Sequence, residues 1–151
     1  MNATTDLAFL PDELRGASQC RLVVTFYDQA LANLEEAIDA IAAGDIERRY
    51  NAVEIATGLI AELALSLDEN VGGEIARNLG RLYSFVLGLL PRINTHNDPV
   101  PAQHAQKLLR PLRDAWAELD DRIAAGTITG IGDAPAFAGQ GDTAGAALMT
   151  A

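Results

Sequence analysis

The stretch Gly72-Gly73-Glu74-Ile75-Ala76-Arg77-Asn78-Leu79-Gly80-Arg81-Leu82-Tyr83 decides the fold. Two glycines open it, and apolar residues then recur at helical spacing. Ile75, Leu79, Leu82, Val86, Leu89 and Ile93 follow at alternating steps of four and three, the seam of a packed bundle helix. Tyr83, Leu87 and Leu90 add apolar positions beside that seam. This helix is expected from about Gly73 to Ile93 or slightly beyond. Pro91 is expected to kink or end it, because proline lacks the amide donor and clashes with the preceding turn, at about 3 kcal/mol.

Working outward, Ser18 is expected to cap a first helix with the stripe Leu22, Phe26, Ala30, Leu34, Ile38 and Ile41. Gly44 ends it, since glycine readily takes the left-handed conformation after a helix. Asp45 caps a second helix running to about Leu67. One stripe of that helix is Val53, Ala56, Ile60, Leu63 and Leu67, and Ile55 and Leu59 form a second, offset one. Asp68, Asn70, Gly72 and Gly73 make the next turn. Asn97, Asp98 and Pro99 form a loop, and Pro101 suits the first turn of a fourth helix. That helix carries Leu108, Leu112, Ala115 and Leu119 on one line, with Leu109 and Trp116 beside it. Pro111 implies either a bend or a short preceding helix.

No strand-like alternation competes and no internal repeat is evident. The expected fold is all-α: an antiparallel up-down-up-down four-helix bundle over residues 1–125. Residues 1–17 form an extra N-terminal segment, where Leu7, Phe9, Leu10 and Leu14 can dock on the bundle. Residues 126–151 form a flexible Gly- and Ala-rich tail with little amphipathic pattern.

Composition narrows the function. Apolar residues make up 49% of the chain and aromatics 5%, so the core is aliphatic. A net charge of -10 argues against nucleic acid and anionic membrane surfaces, whose binders cluster Lys and Arg. Cys20 is the only cysteine and makes no internal disulfide. The N-terminal residues, with Asp6, Asp12 and Glu13, do not read as a signal peptide, and no apolar run reaches about 18 residues. A cytoplasmic location without membrane insertion is expected.

No enzyme chemistry stands out. His96 and His104 lack a glutamate three residues before them, so a di-metal bundle site is rejected. No phosphate-cradling glycine loop or nucleophilic triad is present. His104-Ala105-Gln106-Lys107 has the His-x-x-Lys spacing of histidine phosphotransfer bundles, which is the alternative function. Leu108 stands where those bundles have glycine, and a solvated His104 is the plainer reading. No cofactor and no metal are expected.

Five segments carry a family resemblance. They are Ala17-Ser18 with Leu22 and Phe26-Tyr27-Asp28-Gln29-Ala30-Leu31; Gly44-Asp45-Ile46 with Asn51-Ala52; Ser66-Leu67-Asp68; Gly72 to Tyr83 with Phe85; and Leu112-Arg113-Asp114-Ala115-Trp116. In this order, over roughly Ala17 to Leu119, the chain resembles the flagellar export chaperones of the FliS family, which hold flagellin in the cytosol before secretion. Three features depart from the family pattern. The usual N-terminal tyrosine segment is not evident, Phe9-Leu10 being a loose analogue. Gln19 replaces a usual proline, and Pro91 and Pro111 interrupt helices that are usually continuous.

The resemblance implies a chaperone that binds the disordered C-terminal segment of flagellin, prevents its premature polymerisation and assists its export. It also implies contact with an export-gate component. The offset stripes on helices two and three supply the candidate groove: Tyr27, Ile46, Asn51, Ile55, Leu59, Asn78, Leu79, Gly80, Tyr83 and Leu87. The competing reading is that these stripes complete a wide core. Gly58, Gly80 and Gly88 fit either close helix packing or a shallow groove floor. Tyr27, Tyr50 and Tyr83 fit either buried, hydrogen-bonded residues or groove walls.

Overall fold

The computed structural model describes residues 12–126; the expectations for the N-terminal docking segment before Asp12 and for the tail beyond Gly126 lie outside them. The fold is an all-α four-helix bundle, with α1 at Asp12–Ala43, α2 at Ile46–Leu65, α3 at Glu69–His96 and α4 at Val100–Ala124. Short turns join the helices, which makes successive ones antiparallel. No described helix is long and apolar enough to cross a membrane.

The helix ends follow local chemistry. Gly44 has φ of 71°, and the amides of Gly44 and Asp45 donate to the carbonyls of Ile41 and Ala40. That pair of bonds closes the α1 terminus with a Schellman motif. Asp45 then accepts the Arg48 amide on Oδ1 at 3.1 Å, capping α2. Asn97, with φ of 50°, takes the same left-handed position after α3, and Asp98 Oδ1 accepts the Val100 amide at 3.0 Å to start α4. Gly73 has φ of 56° and ψ of −130°, a backbone state essentially closed to other residues. The opening turn of α3 breaks there, and the long helix proceeds from Glu74. A Cβ on Gly73 would meet nothing within 4 Å, so backbone angle, not crowding, demands the glycine.

The expected cap at Ser18 is corrected, and one alternative at each proline is excluded. Ser18 lies inside α1 instead of capping it. α1 begins earlier, at Asp12. Pro91 does not end α3, which continues to His96, and Pro111 lies within a single α4. Both prolines are exposed, so the carbonyl each leaves unbonded one turn back is on the solvent side of its helix.

The described residues divide into two compact units. The larger comprises Thr25–Leu65 and Leu79–Arg113, parts of all four helices; the smaller comprises α1 up to Val24, Ser66–Asn78 and the chain from Asp114. In the larger unit α1 buries Tyr27, Ala30, Leu34, Ala37 and Ala40, and α2 buries Ala52, Val53, Ala56, Ile60 and Leu63. The inner line of α3 is Ala76, Leu79, Tyr83, Val86, Leu90 and Ile93. That is one residue past the expected seam at alternate positions, so Tyr83 and Leu90 belong to the core, and Ile75, Leu82 and Leu89 flank it. On α4 the inner line is likewise Ala102, Ala105, Leu109, Trp116 and Leu119, while Leu108, Leu112 and Ala115 are half-buried. Each fully buried Leu or Ile contributes about 1.5–3 kcal/mol by leaving water.

In the smaller unit, Cys20, Ala76, Trp116 and Leu119 are buried. Arg21 Nε stands 3.5 Å from Asp120 Oδ2, and Asp120 Oδ1 is buried with no hydrogen-bond partner among the described residues. Burial, reinforced by the Asp120 carboxylate, pushes the Cys20 thiol up to about 12.

Candidate functional site

Helix α2 presents an outer ridge, apolar at its N-terminal end, that its own core does not use. Ile46, Tyr50, Glu54, Gly58 and Glu62 succeed one another at steps of four, and all five are exposed. Ile46 is 66% exposed and Tyr50 51%. Steps of four keep side chains on one slowly turning ridge. Gly58 makes a notch in the ridge, because a Cβ there would meet nothing within 4 Å. Close helix packing therefore does not account for Gly58, nor for the exposed Gly88, which has the same open surroundings.

Two flanks border this ridge in the larger unit. On one, Asn51, Ile55 and Leu59 step by four along α2. Asn51 and Ile55 are exposed, Ile55 at 52%, and Leu59 is half-buried. Arg48, seven residues before Ile55, shares that side and donates from Nε to Glu36 Oε2 of α1 at 2.6 Å. The Ile55–Leu59 flank therefore faces α1. On the other flank, Gly80, Leu87 and Asn94 step by seven along α3. Gly80 and Leu87 are half-buried. Asn94 Oδ1 accepts from Arg49 Nε of α2 at 3.0 Å, so this side of α3 faces α2. The offset stripes expected to line one α2–α3 groove thus lie on opposite sides of the α2 ridge.

The remaining candidates divide by burial. Tyr27 and Tyr83 are 0% and 3% exposed, and their hydroxyls hydrogen-bond to each other across α1 and α3. They are buried, hydrogen-bonded tyrosines. Burial pushes the Tyr83 phenol up to about 12, and the bond to Tyr27 opposes that only in part. Leu79 is also in the core. Asn78 is exposed and belongs to the smaller unit. The surface of the larger unit is left with Ile46, Asn51 and Ile55 fully available, and Leu59, Gly80 and Leu87 partly so.

Arg49 is a structural tie between α2 and α3 that the sequence does not announce. It is buried in the first turn of α2, with Nε on Asn94 and Nη1 on Asn97 Oδ1. Two N–H donors of one planar guanidinium tie α2 to the end of α3, where the helix dipole favours a cation. An arginine in a first turn reads as a surface residue, and nothing local ties it to asparagines 45 and 48 positions downstream.

His104 and Lys107 are exposed one turn apart on α4, and the His104 ring meets Phe85 of α3 edge-on at 5.5 Å. Among the described residues no group of three His, Cys, Asp or Glu side chains is placed to hold a metal ion. What the geometry offers is contact area: exposed Ile and Tyr on a helix, bordered by partly open aliphatic residues. Such a face fits an apolar segment of another protein.

The comparisons with known proteins point to one family. The family model described as Flagellar protein FliS matches residues 8–123. Over 109 residues the chain is 30% identical to the flagellar secretion chaperone FliS of Salmonella typhimurium, covering 72% of this chain and 81% of that protein. It is 30% identical over 104 residues to the flagellar secretion chaperone FliSB of Pseudomonas aeruginosa, covering 69% and 82%. The corresponding protein of Bacillus subtilis is 26% identical over 126 residues, covering 80% and 93%.

Proposed function

The chain belongs to the FliS family of flagellar proteins, and from that membership we propose that it is a cytosolic secretion chaperone for flagellin. In this reading the C-terminal segment of flagellin, disordered before assembly, lies along the outer ridge of α2. Ile46, Tyr50, Ile55 and Leu59 take its apolar side chains, Gly58 admits one of them closely, and Leu87 borders the ridge from α3. Covering that segment hides the surface by which flagellin associates with itself. The complex is then delivered to a component of the export gate. Affinity comes from buried aliphatic contacts, offset by the cost of ordering the client. No bond is made or broken, so the role is that of a binding protein and not of an enzyme.

The observation that supports this most is the exposure of Ile55 at 52% beside the open notch at Gly58, on a helix whose opposite face is fully packed. The test is seeded polymerisation of flagellin followed by light scattering. An equimolar amount of the chain is expected to suppress filament growth, and removal of the flagellin C-terminal segment is expected to abolish complex formation. Unchanged growth in the presence of the chain would contradict the proposal.

A further inference from the structure

The larger unit is electrically two-sided. Its α1–α2 part, Thr25–Leu65, holds eight carboxylates against Arg48 and Arg49. Its α3–α4 part, Leu79–Arg113, holds Arg81, Arg92, Lys107, Arg110 and Arg113 against Asp98 alone. In a chain of net charge -10, that segregation is not a consequence of composition. Arg113 is engaged, donating to Asp28 Oδ1 at 2.7 Å. Arg92, Lys107 and Arg110 are exposed and form no ion pair among the described residues.

The same hairpin exposes apolar groups. Phe85 is 51% exposed and Val100 60%. The Phe85–His104 ring contact joins the outer faces of α3 and α4. Lys107 and Arg110 line an open depression along α4 together with Val100 and His104. A hairpin that exposes apolar side chains and carries cations without ion-pair partners offers contact area to a partner, and its charge selects which partner.

We infer that the α3–α4 hairpin docks an acidic amphipathic helix of a partner protein. Its carboxylates pair with Arg92, Lys107 and Arg110, and its apolar side chains cover Phe85 and Val100. The acidic α1–α2 part of the same unit repels such a segment and confines it to this hairpin. The surface is separate from the α2 ridge, so a flagellin-bound chain remains able to take this second partner.

The probe is a fluorescein-labelled amphipathic peptide of about 20 residues, long enough to form helix on binding, with Glu on one face and Leu on the other. Its comparator has every Glu replaced by Gln. Fluorescence anisotropy with the full chain is expected to give binding of the acidic peptide at least about tenfold tighter than the comparator, a preference that shrinks as NaCl rises from about 50 to about 300 mM. The variant R92E/K107E/R110E is expected to lose the preference while keeping its thermal midpoint and its binding of flagellin. Should that variant unfold, R92Q/K107Q/R110Q carries the same test. Equal binding of the two peptides, or a preference that survives the charge changes, would overturn the inference. So would tighter binding of polyuridylate than of the peptide, or a dimer of the parent chain in sedimentation that the same substitutions dissolve, since the occupant would then be RNA or a second copy.

Discussion

The hydroxyl of Tyr27 in α1 bonds to the hydroxyl of Tyr83 in α3, 56 residues away, inside a core that gives both rings almost no solvent. A hydroxyl in such a place is stabilising only while its partner is present. Tyr27→Phe leaves the Tyr83 hydroxyl buried without that partner and is expected to cost about 1–3 kcal/mol of unfolding free energy. Adding Tyr83→Phe is expected to return part of the loss, because both polar groups are then gone. Urea unfolding of the four proteins of this double-mutant cycle measures the coupling. Additive losses would show that the two hydroxyls do not act as a pair.

That pair also explains why the register of α3 was only half legible. Leu79, Val86 and Ile93 belong to both the expected seam and the observed one. The choice between them is tertiary: Tyr83 is drawn inward because Tyr27 waits for it. Helix ends were easier, because Gly44 and Asp45 carry their reasons within a few residues. The alternatives at the prolines stayed open because their cost depends on which side of the helix they face, and that is set by packing. For the candidate surface, the offset stripe on α2 has Ile55 exposed and Leu59 half-buried, and Ile46 and Asn51 are exposed as well. The burial of Tyr27, Leu79 and Tyr83, and the side of α2 on which Ile55 lies, needed the other helices.

Gly58 provides a test that separates folding from binding. It is exposed, helical and surrounded by open space. Gly58→Ala is therefore expected to stabilise the fold by about 0.5–1 kcal/mol, the propensity difference in a helix interior. The same methyl fills the notch on the α2 ridge and is expected to weaken binding of a flagellin C-terminal peptide. Thermal melting and calorimetric titration of this one variant should move in opposite directions.

Alkaline pH should destabilise the chain through Cys20. Its thiol is raised from the ordinary 9.0 to about 12 by burial and then by Asp120. Below about pH 9 the thiol is neutral whether the chain is folded or not, and its burial contributes in full. As pH rises from there to about 12, the unfolded chain releases the proton and the folded chain holds it. Stability then falls by up to about 1.4 kcal/mol per pH unit, the value for one proton. Tyr83, raised from 10.0 to about 12, adds to the fall above its ordinary value. Cys20→Ala is expected to flatten the decline that begins near pH 9 and to leave the part due to Tyr83. Urea midpoints measured across this range check it.

The central claim is that flagellin lies on the outer face of α2, and Ile55→Asp tests it most directly. Ile55 is 52% exposed, so in the free chain the new carboxylate stays in water and the fold is expected to melt as the parent does. Under a bound apolar client that carboxylate loses its water without a partner, a penalty of several kcal/mol. Calorimetric titration with the flagellin C-terminal peptide is expected to show nanomolar-to-micromolar binding by the parent chain and affinity reduced about 100-fold, or roughly 3 kcal/mol, in the variant. A folded Ile55→Asp chain that binds the peptide as tightly as the parent would put the client on another face, and a parent chain that shows no heat with the peptide would contradict the account outright.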